Sequence, residues 1–137
     1  MTTYADIKKM IEENDVEYVD VRFTDPRGKL QHLAMCAHAM DENAFTEGIM
    51  FDGSSIAGWK AINESDMLLV PDMETAVMDP FTAQPQLIIF CDVKDPITGE
   101  LYERDPRGTA KKAEQLVKDS GLGTDVFFGP EADFFRF

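Results

Sequence analysis

The amino-acid sequence predicts an α+β fold, in which a helix packs on one mixed sheet. Near the N-terminus, residues 4–11 carry apolar side chains at helical spacing. Residues 19–24 then alternate between apolar and polar side chains, as in a strand with one buried face. Residues 87–91 are apolar without alternation, which is typical of a central strand covered on both faces.

The composition is that of a folded, acidic protein. The chain has 137 residues, of which 44% are hydrophobic, enough for one compact domain and part of another. Asp and Glu number 26 against 13 Lys and Arg, a net charge of -13 that argues against nucleic-acid binding. The sequence shows no signal peptide and no apolar run near the roughly 20 residues that span a bilayer, so we expect a cytoplasmic protein without membrane contact.

Two cysteines are too few for a disulfide framework. Cys36 and Cys91 each lie in an apolar run, so we expect both thiols to be buried and reduced. A zinc site that combines Cys36 with His32 and His38 is an alternative, although structural zinc usually takes four well-spaced ligands.

The first half of the chain predicts a helix, a β-hairpin and a second, short helix. The helix covers residues 3–14. The hairpin has strands at residues 19–24 and 30–36 with a turn at 25–28, and the short helix covers residues 42–47. Thr3 is the expected N-cap of the first helix, with Asp6 in its first turn. Asp41 caps the short helix, which ends at Gly48.

The next elements are dominated by the apolar central strand. A strand at residues 67–70 is stopped by Pro71, and residues 73–85 are irregular. The central strand covers residues 86–93, followed by a turn at 95–99 and a short returning strand at 100–103. Together with the hairpin, these strands complete the predicted mixed sheet.

A boundary near Glu103 precedes a further helix. Asp105 followed by Pro106 is a cap with proline at the first helical position, and Ser120-Gly121 is the stop. The predicted buried stripe of this helix consists of Ala110, Ala113, Leu116 and Val117. Glu114 and Lys118 form a predicted i, i+4 ion pair. Residues 124–137 are β-prone and end without a turn, so we expect a strand that pairs with something outside this chain, and hence a truncated sequence.

Residues 51–60, Phe-Asp-Gly-Ser-Ser-Ile-Ala-Gly-Trp-Lys, are predicted to be an irregular loop. Glycine permits left-handed backbone and close approach to a ligand, so a loop of this kind can position Asp52 and Ser55. Lys60 is expected to be solvated. The alternative is an ordinary surface loop whose tryptophan packs on the core.

Glu131 and Asp133 lie two residues apart in the C-terminal segment. On a strand, this spacing would place both carboxylates on one face, with Cα atoms about 6.6 Å apart. Hard oxygen ligands at that spacing suit Mg²⁺ or Mn²⁺. The alternative is a pair of solvent-facing acids on an edge strand.

Two motifs carry a resemblance to a known family. Residues 51–59, followed by Asn-Glu-Ser-Asp-Met at residues 63–67, resemble the active-site loop of bacterial type I glutamine synthetase. Residues 129–135, Gly-Pro-Glu-Ala-Asp-Phe-Phe, resemble that family's metal-binding strand, usually G-P-E-x-E-F. The likeness extends over nearly the whole chain, but a family subunit is several times longer, so the chain resembles the amino-terminal portion of such an enzyme.

The resemblance implies a domain organisation. It places an N-terminal helix at residues 1–14, a β-grasp domain at residues 15–99, and the first helix and strand of a larger catalytic α/β domain at residues 105–137. It also implies a ring-shaped homo-oligomer with active sites between neighbouring subunits. An isolated amino-terminal piece would then be inactive.

The resemblance further implies the chemistry. Enzymes of this family phosphorylate the side-chain carboxylate of glutamate with ATP, and ammonia attacks the γ-glutamyl phosphate, while two divalent cations screen the phosphoryl charge. Glu131 would hold the nucleotide-side metal and Asp133 the glutamate-side metal. The family has Glu at the second place, so Asp133 reaches one methylene less far, which could shift the metal or admit a bridging water.

The loop residues would handle ammonium. By resemblance, Asp52 binds the cation and accepts its proton, because ammonium is not a nucleophile until it is deprotonated. Ser55 would support Asp52 by hydrogen bonding, and Asp66 would line the same cleft or simply cap its strand. Two other functions remain open: a γ-glutamyl ligase for a bulkier amine, and a stand-alone β-grasp module for protein association.

Overall fold

A computed structural model of the chain describes residues 1–59 and 66–136. Its helices are α1 (Tyr4–Glu13), α2 (Glu42–Thr46) and α3 (Pro106–Ser120). Its strands are β1 (Tyr18–Thr24), β2 (Leu30–Cys36), β3 (Ile49–Asp52), β4 (Asp66–Pro71), β5 (Val77–Met78) and β6 (Gln86–Lys94). Short 3-10 turns lie at Ala37–Ala39, Gly53–Ser55 and Met73–Thr75. The predicted α+β class is confirmed.

The strands form one mixed sheet in the order β2-β1-β6-β4-β3, with β5 paired to β6. Strand β6 is central, since it pairs with β1 in parallel and with β4 and β5 in antiparallel fashion. Its apolar run predicted this position. β2 and β3 are the two ends of the strand order.

Helix α1 begins with a capping box. The Thr3 hydroxyl accepts a hydrogen bond from the Asp6 N–H, and the Thr3 N–H donates to the Asp6 carboxylate at 2.8 Å. The Thr3 hydroxyl also donates to the Asp6 carboxylate at 2.6 Å, and this bond, followed by the bond from the Thr3 N–H, lowers the pKa of Asp6. Ile7, in the predicted apolar stripe, is fully buried, so the helix packs its apolar face into the hydrophobic core.

The β1–β2 hairpin is confirmed, and its turn is organised by Asp25. The Asp25 carbonyl accepts from the Gly28 N–H at 2.9 Å, and Gly28 takes a φ of +83°. The Asp25 carboxylate accepts from the N–H groups of Arg27 and Lys29 and from the Gln31 amide. Gln31, followed by these N–H groups, lowers the pKa of Asp25.

Helix α2 is capped as predicted, by Asp41, whose carboxylate accepts from the Ala44 N–H at 3.0 Å. Gly48 follows the helix with a φ of +101°. A Cβ at this position would lie 2.7 Å from the Leu69 carbonyl oxygen and 2.9 Å from the Leu68 Cγ. Only glycine therefore lets this chain turn so close to β4.

Three expectations about local structure are wrong. Phe51 and Asp52, predicted to be in the irregular loop, are the last residues of β3. Residues 100–103 form only the isolated bridge between Lys94 and Leu101, and not a strand, within the described chain. Cys36 is exposed because it lies at the end of the edge strand β2, whereas Cys91 is buried as predicted. Burial raises the pKa of the Cys91 thiol to about 12.

The bounds of α3 are confirmed, but its predicted burial is wrong. Ala110, Ala113 and Leu116 are exposed, Leu116 to 69%, and only Val117 is half-buried. The helix meets the sheet instead through its N-terminal turns. There Arg107 donates to Asp92 and Asp72, and Lys111 donates to Asp92. The i, i+4 pair of Glu114 and Lys118 is present at 2.7 Å.

The strand predicted over residues 124–137 is also wrong for the part that the structure describes. Residues 125–136 are in no hydrogen-bonded strand, and Phe127, Phe128 and Phe134 are each more than four-fifths exposed. A strand needs a partner to satisfy its backbone, and β-prone residues cannot supply one by themselves.

Candidate functional site

Asp52 and Asp66 occupy the same rung of the sheet. Asp52 ends β3, Asp66 begins β4, and the two are Cα partners in the antiparallel register. Both are exposed. Because directly opposed like charges repel, this rung is suited to attract a cation. The sequence singled out both residues, and the structure brings them together.

The Asp52 carboxylate is held by two serines. Its Oδ1 accepts from the Ser54 N–H at 2.9 Å and from the Ser54 Oγ at 2.6 Å, and its Oδ2 accepts from the Ser55 Oγ at 3.3 Å. Asp52 thereby caps the 3-10 turn Gly53–Ser55. The predicted bond from Ser55 is present, but the neighbouring Ser54, for which no role was predicted, makes the shorter contacts. The Asx-turn pattern of Asp followed two residues later by Ser was the available signal.

We call residues 52–59 the Asp52 loop. Its first half is anchored by buried Gly53 and by Ile56, which is 9% exposed. Its last described residue, Trp59, is 5% exposed, so the alternative role of a packing tryptophan is also met. The loop is therefore anchored after its first residue and at its last described residue, while Asp52, at its start, is exposed.

Trp59 sits in an aromatic cluster drawn from three separate parts of the chain. Its ring centroid lies 5.5 Å from that of Phe23, 6.0 Å from Phe51 and 5.6 Å from Tyr102. Among the residues described, its Nε1 is the one buried side-chain polar atom without a hydrogen-bond partner. Packing rather than polar contact thus holds the indole.

Glu131 and Asp133 are exposed and lie outside any strand of the described chain. The geometric argument that a strand would align their carboxylates is therefore not met here. Across residues 1–59 and 66–136, no group of three or more His, Cys, Asp or Glu side chains is placed to hold a metal ion. Their metal-binding role stays a prediction.

Another polar cluster is held together by its own ion pairs. Buried Asp20 accepts from Arg22 at 2.6 Å and contacts His32 Nδ1 at 2.7 Å, and Arg22 also reaches Asp79. His32 is therefore engaged with Asp20, and the zinc alternative with Cys36 finds no support in the described residues. Lys60 and residues 63–65 of the loop motif lie outside the described residues.

None of the helices in the described residues is both long and apolar enough to cross a bilayer.

Comparison with known proteins identifies the family. A family model described as "Glutamine synthetase, beta-Grasp domain" matches residues 15–96. The chain is 64% identical over 137 residues to a glutamine synthetase of Rhizobium meliloti and 62% identical over the same length to one of Bradyrhizobium diazoefficiens. Each match covers 100% of this chain but only 29% of the relative's length.

A solved structure agrees with the sequence relatives. The glutamine synthetase of Plasmodium falciparum superposes with a TM-score of 0.78 at 28% identity, covering 88% of this chain and 23% of that one. The β-grasp fold implied by the sequence resemblance is confirmed by the family match and the mixed sheet. The chain belongs to the glutamine synthetase family, of which it carries the β-grasp domain.

Proposed function

We propose that this chain supplies the ammonium-handling loop of an enzyme that ligates ammonia to glutamate at the expense of ATP, through γ-glutamyl phosphate. One observation carries the proposal: an exposed carboxylate, Asp52, is fixed by Ser54 and Ser55 directly opposite a second carboxylate, Asp66. The high identity to relatives named glutamine synthetase supports the same reaction.

The chemistry follows from charge and proton affinity. The two opposed carboxylates attract ammonium, and Asp52 accepts one of its protons to release the nucleophilic ammonia. The new C–N bond forms at the γ-carbonyl carbon as the C–O bond to phosphate breaks, so inorganic phosphate leaves. The serine hydrogen bonds keep the Asp52 oxygens in one orientation, which avoids reorganisation during proton transfer.

Divalent cations are the second part of the proposal. Glu131 and Asp133 are exposed carboxylates, and such hard oxygen donors fit Mg²⁺ or Mn²⁺. When bound, the cations would screen the phosphoryl oxygens of ATP and of the acyl phosphate. We assign Glu131 to the nucleotide side and the shorter Asp133 to the glutamate side.

The position of the loop supports assembly into a ring with sites between subunits. β3 lies at one end of the strand order, so the Asp52 loop leaves the sheet at its periphery. From there Asp52 can serve a neighbouring subunit, while Glu131 serves its own. The free thiols of Cys36 and Cys91 support a reducing, cytoplasmic location.

The test is Asp52→Asn in the complete protein. We expect normal folding and assembly but a fall of about 10²- to 10⁴-fold in ammonia-dependent glutamine formation, because the amide cannot accept the proton. Asp41→Asn is the control, since it changes another exposed capping aspartate, the N-cap of α2. Unchanged turnover in Asp52→Asn would reject the assignment.

An amine panel separates the remaining candidate functions. A γ-glutamyl ligase for a bulkier amine would turn over methylamine or ethylamine faster than ammonium. A protein-association module would consume no ATP with any amine.

A further inference from the structure

Arg104 reaches back from the connection before α3 to the Asp52 loop. Its Nη1 donates to the Gly58 carbonyl oxygen at 2.9 Å and to the Trp59 carbonyl oxygen at 3.4 Å. The competing ion pair with neighbouring Glu103 is long, at 3.9 Å, and exposed. The guanidinium is therefore engaged chiefly with the loop backbone.

The connection that carries Arg104 is itself fixed to the central strand. The Tyr102 N–H donates to the Val93 carbonyl at 2.8 Å, and the Asp105 N–H donates to the Tyr102 carbonyl at 3.0 Å. Asp105 is fully buried, and its carboxylate accepts from the Val93 N–H at 3.2 Å. Arg104 thus projects from a rigid support on β6.

The same connection holds the loop a second time, through Tyr102. The Tyr102 ring packs edge-on against the Trp59 indole. The same short segment therefore contacts the loop twice, through the Tyr102 ring and through the hydrogen bonds of Arg104 to the loop backbone. Gly58 takes a φ of +89°, the left-handed conformation in which the loop offers Arg104 the Gly58 and Trp59 carbonyls.

We infer that Arg104 is a positioning residue that clamps the C-terminal half of the Asp52 loop and so sets the location of the Asp52 carboxylate. Its effect on the loop is independent of the reaction, whereas its effect on turnover rests on the proposed function. The planar guanidinium suits this task because it stays charged and can donate to two acceptors at once.

The first test uses Trp59, the sole tryptophan of this 137-residue chain, as a reporter. In Arg104→Gln we expect red-shifted Trp59 emission and about twofold greater quenching by acrylamide, with unchanged far-UV circular dichroism, because local opening leaves the rest of the fold intact. Arg27→Gln, in the β1–β2 turn, is the matched control. Identical emission and quenching in the two variants would overturn the clamp.

A second variant covers the case in which Arg104→Gln does not fold. Gly58→Ala keeps the arginine but displaces its acceptor, since an added Cβ meets nothing within 4 Å yet disfavours the φ of +89°. Red-shifted emission with intact circular dichroism supports the clamp, and wild-type quenching overturns it.

The second test measures steady-state kinetics of the complete protein. If the loop is only partly in its competent position, apparent ammonium affinity falls by that fraction. We therefore expect Arg104→Gln to raise KM for ammonium about tenfold while KM for ATP stays within about twofold, with partial rescue by Arg104→Lys. A fall in kcat with unchanged KM for ammonium indicates a merely structural role and overturns the positioning inference.

The two proposals fail in different ways. If Asp52→Asn retains full turnover while Arg104→Gln changes Trp59 fluorescence, the proposed function is wrong and the clamp stands. If Asp52→Asn is impaired while Arg104→Gln keeps both wild-type fluorescence and wild-type KM for ammonium, the clamp is wrong and the function stands.

Discussion

Among the described residues, the two serines that follow Asp52 donate three hydrogen bonds to its carboxylate, two from Ser54 and one from Ser55. Bonds to a charged acceptor are stronger than neutral ones and shorten accordingly. The 2.6 Å contact from the Ser54 hydroxyl is therefore the stronger side-chain tether, and the 3.3 Å contact from Ser55 the weaker. Ranking the serines by distance reverses the emphasis that the sequence motif placed on Ser55.

This ranking gives a prediction for the complete protein. Ser54→Ala is expected to lower kcat/KM for ammonium about tenfold, and Ser55→Ala only about threefold, because a hydrogen bond to a charged group contributes about 1.5–3 kcal/mol at best geometry. Each variant serves as the control for the other. A larger loss in Ser55→Ala would show that the hydroxyls act on substrate and not through Asp52.

A second residue-scale prediction concerns Asp25 in the hairpin turn. Bonds from Gln31, Lys29 and Arg27 lower the pKa of Asp25 below its ordinary value of 3.8. Stability gained from a lowered carboxylate pKa is present above the unfolded value and is lost as pH falls through the folded value. Asp25→Asn should therefore lower the free energy of unfolding most near neutral pH and progressively less below pH 3.8.

Urea unfolding at several pH values measures this dependence. Asp119→Asn, on the exposed surface of α3, is the control and should change the unfolding free energy little at any pH. A deficit in Asp25→Asn that grows towards acid pH would contradict the assignment.

At the scale of elements, the junction between α2 and β3 depends on one glycine. Gly48→Ala is expected to destabilise the fold by about 3 kcal/mol or more, since left-handed strain is joined by a clash with the β4 backbone. Gly28→Ala shares the positive φ but has nothing within 4 Å of its Cβ, so it should cost only about 1 kcal/mol. Chemical denaturation of both variants checks the difference, and equal losses would exclude the clash.

Elements specified by neighbouring residues were predictable from the sequence. The Thr3 cap of α1, the Asp-Pro-Arg-Gly turn of the hairpin and the glycine stop of α3 are short-range signals, and each is confirmed. The β-prone run at residues 125–136 carries no such local specification, because a strand is defined by its partner. The apolar stripe of α3 likewise predicts an amphipathic helix but not what covers it.

The candidate site was predictable only in part. Its motif singled out Asp52, Ser55 and Asp66, but nothing local says that Asp52 and Asp66 share a rung, since register depends on strand pairing. Arg104 was missed because its acceptors are backbone carbonyls, more than forty positions away in the chain, that leave no trace in side-chain pattern.

At the scale of the whole molecule, acidic charge outweighs basic charge two to one. Self-repulsion at this imbalance should lower stability at low ionic strength, and salt screens it over a Debye length that falls from about 30 Å at 0.01 M to about 8 Å at 0.15 M. We therefore expect the urea midpoint to rise over this range of sodium chloride. A falling midpoint would show that the ion pairs of Arg107 and Lys111 outweigh the repulsion.

The parallel pairing of β1 with β6 sets the order in which the molecule can be completed. Tyr18 pairs with Gln86, so about seventy residues separate the two halves of the central ladder, and closing so long a loop slows folding. During synthesis, α1 and the hairpin leave the ribosome well before the strand that they pack around. The apolar side chains of Val19 and Val21 therefore stay exposed in the nascent chain until β6 emerges. During this interval the chain presents the most apolar surface to a chaperone.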